Sequence, residues 1–316
     1  MGNPTDLQLQ RTERLRLMTS KWIAGARPRT LPAAMAPVLV GSSMAFWEDG
    51  FNPIVAVLAL IVALALQIGV NYANDYSDGI RGTDDSRIGP VRLVGQGLAT
   101  AKSVKKAALI SFLVAALAGL SMTVITQIWW FIPVGLLAIT SAWFYTGGKN
   151  PYGYAGFGEV FVFIWFGLVA VIGTTYAQTQ NVSIATVAFA IGAGAFACAL
   201  LVVNNLRDIP SDSKVGKKTL AVRLGDSKTR WLYVGLVWLG FASNLLVAAL
   251  SINNSQLPLW SVAGVVCAFV AHVPGRAVIN NASGQDLIAV LVGTGKAQLV
   301  WAIVTCSAIV LQKLLN

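Results

Sequence analysis

The sequence predicts an all-α polytopic integral membrane protein with about nine transmembrane helices. Three observations lead there. Of 316 residues, 56% are hydrophobic and only 11% are charged, whereas soluble domains carry about 25% charged residues. The mean hydropathy is +0.67. The apolar residues are also gathered into nine runs separated by polar links. Such a chain cannot cover a water-facing surface with polar groups. That excludes a soluble enzyme, a disordered chain and a nucleic-acid-binding domain, despite a net charge of +10.

In chain order the runs fall near residues 30–47, 52–72, 104–126, 128–145, 158–177, 183–204, 231–251, 257–272 and 297–312. Most match the ~20 residues that a helix needs to cross the hydrocarbon core. The first run follows Arg27-Pro28-Arg29, which divides the chain into a polar N-terminal segment, residues 1–28, and one membrane domain, residues 29–316. Trp129-Trp130 opens the fourth as an interfacial belt. Glu159 opens the fifth, where an acid suits the positive end of a helix dipole. The eighth is the shortest, and His272 is expected to end it before Pro274. Cys198, Cys267 and Cys306 all lie in apolar runs without CxxC spacing, so neither a disulfide framework nor a zinc site is indicated.

Short and long links alternate. The short ones contain no Lys or Arg, and 22 of the 23 cations fall on the side of the long loops, Lys313 being the exception. The positive-inside rule makes that side cytoplasmic, with the N-terminus inside. The expected location is the cell (inner) membrane.

Seven of the 13 acids gather in two of the cytoplasmic loops. The first group follows the second run as Asn71-Tyr72-Ala73-Asn74-Asp75-Tyr76-Ser77-Asp78, with Asp84 and Asp85 beyond. At 3.6 residues per turn, positions 71, 74, 75 and 78 are expected on one helical face. The second group, Asn204-Asn205-Leu206-Arg207-Asp208-Ile209-Pro210-Ser211-Asp212, follows the sixth run, and Asp226 completes the seven. Pro210 is expected to end that helix, which would leave Asp212 on a loop. Each group sits at a helix C-terminus, which already carries partial negative charge. Carboxylates clustered there repel unless a cation joins them. Oxygen ligands with no His or Cys suit Mg²⁺, whose shell is completed by water and substrate phosphates. Cations follow: Arg81, Arg87 and Arg92 after the first group, Lys214, Lys217 and Lys218 after the second. Between them lies Tyr145-Thr146-Gly147-Gly148-Lys149-Asn150-Pro151-Tyr152-Gly153-Tyr154. Its glycines permit close backbone approach and its Lys offers a point charge to phosphate. Acids, metal and cations together describe a diphosphate site at the membrane surface.

Asn74-Asp75-x-x-Asp78 and Asp208-x-x-x-Asp212 resemble the NDxxD and DxxxD motifs of the UbiA superfamily of membrane aromatic prenyltransferases. The resemblance covers nearly the whole chain and implies a UbiA-like helical bundle. Further stretches are similar to the branch that prenylates 1,4-dihydroxy-2-naphthoate: Ala26-Arg27-Pro28-Arg29-Thr30, Arg87-Ile88-Gly89-Pro90, Tyr145-Thr146-Gly147-Gly148 and Asp212-Ser213-Lys214-Val215-Gly216-Lys217. One position departs: the residue four after Asp78 is Gly82, where the superfamily commonly has Asp, and Asp84 lies two further on.

The resemblance implies transfer of a polyprenyl group from its diphosphate to 1,4-dihydroxy-2-naphthoate with Mg²⁺, drawing the lipid substrate from the membrane and involving no nucleic acid. On that footing Asn74, Asp75, Asp78, Asp84, Asp208 and Asp212 are the candidate metal ligands. Asp78, Asp208, Lys149 and Tyr145 are the candidate catalytic residues; Lys149 would bind phosphate and Tyr145 would face the allylic cation. Asn71, Asn74, Asn204, Arg87 and Lys217 are the candidate substrate-binding residues, with Arg27 or Arg29 for the acceptor carboxylate. Two rivals stand beside this reading. One is a UbiA-type transferase with another acceptor, such as 4-hydroxybenzoate. The other is a cation-coupled transporter built from an inverted repeat, whose acids would lie near the bilayer midplane instead of at one surface.

Overall fold

The computed structural model describes residues 20–82, 91–252 and 254–316. Arg87, Asp84 and Asp85 lie outside them. Each apolar run becomes a helix, and most extend beyond the run that announced them. The chain opens with α1 (Ser20–Thr30) and α2 (Pro32–Trp47), bent by 54° from one another. The break has a local cause. A residue before proline is pushed out of the helical region; Arg27, before Pro28, adopts φ 54°, so the first turns stop there and the tighter turn Pro28–Thr30 leads through Leu31 into α2. Then follow α3 (Pro53–Ile80), α4 (Ala101–Thr126), α5 (Phe131–Phe144), α6 (Gly158–Thr179) and α7 (Ile184–Lys214). The short α8 (Leu220–Leu224) leads into α9 (Asp226–Ser251), α10 (Leu259–Ile279) and α11 (Asp286–Leu315).

Seven of the described helices are long and apolar enough to span, and the bent α1–α2 pair makes up to eight. The remaining run, the fourth, is α5, whose 14 residues rise only ~21 Å. It falls short of a ~30 Å core. The protein is a multi-pass membrane protein, and nine counts its helical runs more closely than its full-length spans.

Helix length positions the motifs. α3 has 28 residues and α7 has 31, or ~42 and ~46 Å, well over the thickness of the hydrocarbon core. Their C-terminal turns therefore project past it, and those turns carry Asn71–Asp78 and Asn204–Asp212. Two expectations about proline are corrected here. α7 runs through Pro210 to Lys214, so Asp212 is helical, and α10 runs through Pro274 to Ile279, so His272 ends nothing. Pro removes one backbone donor, but a helix that is packed by neighbours tolerates the kink.

α7 is the central post, packed by α2, α6, α9 and α11. Its Ala- and Gly-rich sequence lets backbones approach closely: a Cβ on Gly194 would stand 3.2 Å from the Gly167 Cα of α6. At the opposite face Lys313, the one cation among the short-link elements, pairs with Asp49 at 2.7 Å.

Candidate active site

The overhanging ends of α3 and α7 meet on one side of the bundle, and their acids share a lysine. Lys217 Nζ lies 4.0 Å from Asp78 Oδ2 and 3.8 Å from Asp212 Oδ1. Positions 204, 208 and 212 are spaced by four, so the continued helix puts Asn204, Asp208 and Asp212 along one stripe. Asp78 also faces Arg92 at 3.9 Å and accepts a 2.5 Å hydrogen bond from the Tyr154 hydroxyl. The Tyr154 ring lies 4.5 Å from Lys217 Nζ. Asp208 is gripped in a fork by Arg207, at 2.8 and 2.9 Å, and the same guanidinium donates to Asn204 Oδ1. All six charged groups are buried, Asp78 to 2% and Asp208 to 1% exposure. Buried charges persist only when paired and hydrogen-bonded, and here three acids and three bases compensate one another.

Asp75 stands apart from that group. It is fully buried and both its oxygens accept backbone N–H bonds, from Leu93 at 2.8 Å and Val94 at 3.0 Å. The expected single face for 71, 74, 75 and 78 divides, because the step from 74 to 75 turns the helix by ~100°. Asp75 instead holds the returning loop, and so carries the adjacent Arg92 to Asp78. Asn71 ties α3 to the α1–α2 break, donating to Ala26 O at 2.9 Å and Thr30 Oγ1 at 3.1 Å. Arg27 of that break lines the cavity below, whereas Arg29 is exposed and does not.

The Gly-rich loop is pinned from α3. Thr146 donates to Asn74 Oδ1 at 2.8 Å, and the Arg81 guanidinium donates to the carbonyls of Thr146 and Gly148. Gly148 has φ 78°, which suits a residue without Cβ. Lys149, next in the chain, is exposed and does not line the cavity. Tyr145 does line it, edge-on to Tyr152 at 5.5 Å. Tyr152 in turn stacks on Phe161 at 4.1 Å, and burial pushes its phenol far up, so it stays neutral.

Below these groups opens a cavity of about 1050 Å³. Asn74, Asp78, Arg92 and Lys217 form its polar head, and α3 to α7 supply an otherwise mainly apolar wall that continues to Trp130 and Tyr176. From Phe161 to Tyr176 along α6 is ~22 Å. A charged head on a long greasy slot fits a diphosphate with a hydrocarbon tail.

The donor set also fits a hard divalent cation. The Asp78 carboxylate and the Asn74 and Asn204 amides line the cavity, and the Lys217 ammonium lies between Asp78 and Asp212; Asp208 and Asp212 stand behind that lining, Asp208 in the Arg207 fork. Among the described residues no group of three His, Cys, Asp or Glu side chains is placed to hold a metal ion by itself. A site with few protein oxygens is the kind that magnesium completes with water and phosphate. Reading from the sequence missed Arg207, Tyr154 and Asn205. Arg207 and Tyr154 sit inside motifs that were singled out, so residue type was a signal. Nothing in the sequence pairs Asn205 with Glu159, 46 positions away.

Fold and site define a membrane-embedded prenyltransferase. The profile of the UbiA prenyltransferase family matches residues 34–286, and the chain belongs to that family. It is 51% identical over 290 residues to the 1,4-dihydroxy-2-naphthoate octaprenyltransferase of Mycobacterium tuberculosis, covering 92% of this chain and 97% of that one. The Escherichia coli protein of the same name is 41% identical over 225 residues, 69% of this chain and 73% of its own. Among solved structures, a UbiA homologue from Aeropyrum pernix K1 superposes with TM-score 0.66 at 13% identity, covering 89% of this chain and 97% of its own. A UbiA homologue from Archaeoglobus fulgidus bound to DMAPP and Mg²⁺ gives 0.59 at 17%, covering 92% and 99%. These two share the fold.

Proposed function

We propose that the protein transfers a polyprenyl group from polyprenyl diphosphate to 1,4-dihydroxy-2-naphthoate, releasing diphosphate and CO₂ and forming demethylmenaquinol for menaquinone biosynthesis. The observation that carries the reading is the acid–base head set on a long apolar cavity. The names of the close relatives support the choice of acceptor.

Asn74, Asp78, Asp208 and Asp212 would hold Mg²⁺, with Asp84 a further candidate from the sequence. When bound, the ion supplies positive charge to the departing diphosphate. Lys217 and Arg92 bind the diphosphate oxygens and stabilise their charge as the allylic C–O bond breaks. The Tyr145 ring faces the allylic cation, since aromatic faces attract cations. Arg27, which also lines the cavity, takes the acceptor carboxylate. The ring carbon bearing that carboxylate attacks the allylic carbon and becomes tetrahedral. Its bond to the carboxylate then breaks, the electron pair returns to the ring, and CO₂ leaves.

The test uses dihydroxynaphthoate labelled in the carboxyl carbon. Label is expected as CO₂, one molecule per prenylated product. Label retained in the lipid product would favour the 4-hydroxybenzoate-type rival.

The cation-rich face is assigned to the cytoplasm of the cell membrane. Both acid motifs, Lys214 and Lys217 lie on it. A cysteine at position 214 is expected to resist an impermeant reagent in intact cells, while one at 313 reacts. The reverse pattern would invert the topology.

A further inference from the structure

Asn205 and Glu159 make a contact that the chemistry above leaves unused. Asn205 sits on α7 three residues before Asp208, ~4.5 Å along the axis toward the membrane interior. It lines the cavity; Glu159, at the start of α6, is buried to 7% exposure behind it and does not. Asn205 Nδ2 donates to Glu159 Oε1 at 3.0 Å. With Glu159 Oε1 accepting from Nδ2, the amide is turned one way: nitrogen toward Glu159 on α6, and the carbonyl oxygen left for the cavity that Asn205 lines. That oxygen makes no hydrogen bond among the described residues. Glu159 is itself held in place. Cys198 Sγ donates to its backbone carbonyl at 3.1 Å. Glu159 Oε2 has no hydrogen-bond partner among the described residues. A carboxyl buried with an orphaned oxygen is poor material for stability alone. Gly158, beside it, leaves room for the Tyr145 hydroxyl, which lies 3.2 Å from where a Cβ would stand. The wall that would face the allylic carbon therefore presents one fixed carbonyl acceptor next to the Tyr145 ring.

Resting on the transferase reading, we propose that Asn205 Oδ1 accepts a hydrogen bond from the hydroxyl ortho to the attacking carbon of the naphthoate, and that Glu159 is the positioning residue that fixes the amide for this task. The electron balance explains why an amide suffices. When the ring carbon bonds to the allylic carbon, positive charge settles on the neighbouring C–OH, which becomes a protonated carbonyl. Loss of CO₂ returns an electron pair to the ring and restores the phenol with its proton in place. No net proton leaves, so the group facing that hydroxyl stabilises developing charge and need not be a base. Removing such a preorganised partner costs on the order of 10²–10³ in rate.

The experiment uses the full-length protein in membranes with Mg²⁺, geranylgeranyl diphosphate and dihydroxynaphthoate. Asn205→Leu and Glu159→Leu are each expected to lower kcat/KM for the naphthoate about a hundredfold, with the KM for the diphosphate within about threefold of wild type. Glu159→Gln, whose amide oxygen can still accept from Asn205, keeps the loss below about fivefold. The double Leu variant is no slower than Asn205→Leu alone, because the two residues act as one unit. Glu159→Leu with wild-type naphthoate kinetics, or a donor KM rising in step with the acceptor effect, overturns the assignment. A wild-type protein that prenylates no naphthoate removes the transferase reading and this pair with it; active wild type with an unaffected Glu159→Leu removes the pair alone.

Discussion

Asp78→Asn and Asp208→Asn are each expected to lower turnover at least about a hundredfold, the largest losses in the site. Asn keeps the shape and one acceptor oxygen but loses the charge. At position 78 that charge faces Arg92, Lys217 and the Tyr154 hydroxyl. Without it two cations remain buried beside an amide, and one ligand charge for Mg²⁺ is gone. At position 208 the Arg207 fork loses its anionic partner, and breaking one side of a buried pair costs about 3–5 kcal/mol. Activity measured across a range of Mg²⁺ concentrations separates the two consequences. A ligand defect raises the Mg²⁺ needed for half-maximal rate; a packing defect lowers the thermal midpoint in detergent at every Mg²⁺ concentration. Near-wild-type turnover of both variants, or full activity in a chelator, would mean that the clusters are not a metal site. Asp75→Asn is the natural contrast. Its oxygens hold Leu93 and Val94, so its effect should be chiefly on the loop and on stability.

How much of this could be read from the chain depends on the kind of signal. Hydrophobic length is written residue by residue, so all nine runs reappear as helices. Helix ends are less legible. The run near 297–312 understated α11, which begins at Asp286, because Gly293, Gly295 and Lys296 dilute its hydropathy while Leu287, Val290 and Leu291 still face the core. Pro210 and Pro274 misled for a related reason: the propensity against proline is local, whereas the packing that overrides it is tertiary. The site was legible in part. Asp78, Asp208 and Asp212 stand out in the sequence because like charges at two helix ends demand an explanation, and the structure brings Asp78 and Asp212 to one lysine. Asp75 was grouped with them by spacing, although the loop it anchors lies 18 residues away. Lys149 was favoured for its glycine-rich setting, which governs backbone shape and does not aim a side chain.

That last difference sets the second large effect. Lys217→Ala is expected to lower kcat/KM for the prenyl diphosphate about a hundredfold, while Lys149→Ala stays within about threefold of wild type. Lys217 is buried to 8% exposure and is the only described ammonium group within 4.0 Å of both Asp78 and Asp212. Removing it leaves carboxylates from two helices facing each other without their shared cation, and takes a positive charge from the place where the diphosphate must sit. Lys149 is exposed, where a charge is screened over about 8–10 Å of salt solution and acts weakly on a buried group. The donor should bear the effect. Lys217 belongs to the polar head, while Arg27, the candidate for the acceptor carboxylate, lines the cavity from the α1 side. Initial rates over a range of donor concentrations, at saturating naphthoate, give the donor term directly, and the same series with naphthoate varied gives the acceptor term. Lys217→Arg should recover part of the loss, since the charge returns on a differently shaped group. A Lys149→Ala collapse beside a Lys217→Ala of ordinary activity would move the diphosphate out of the buried head and onto the loop surface, and the cavity would then need another occupant.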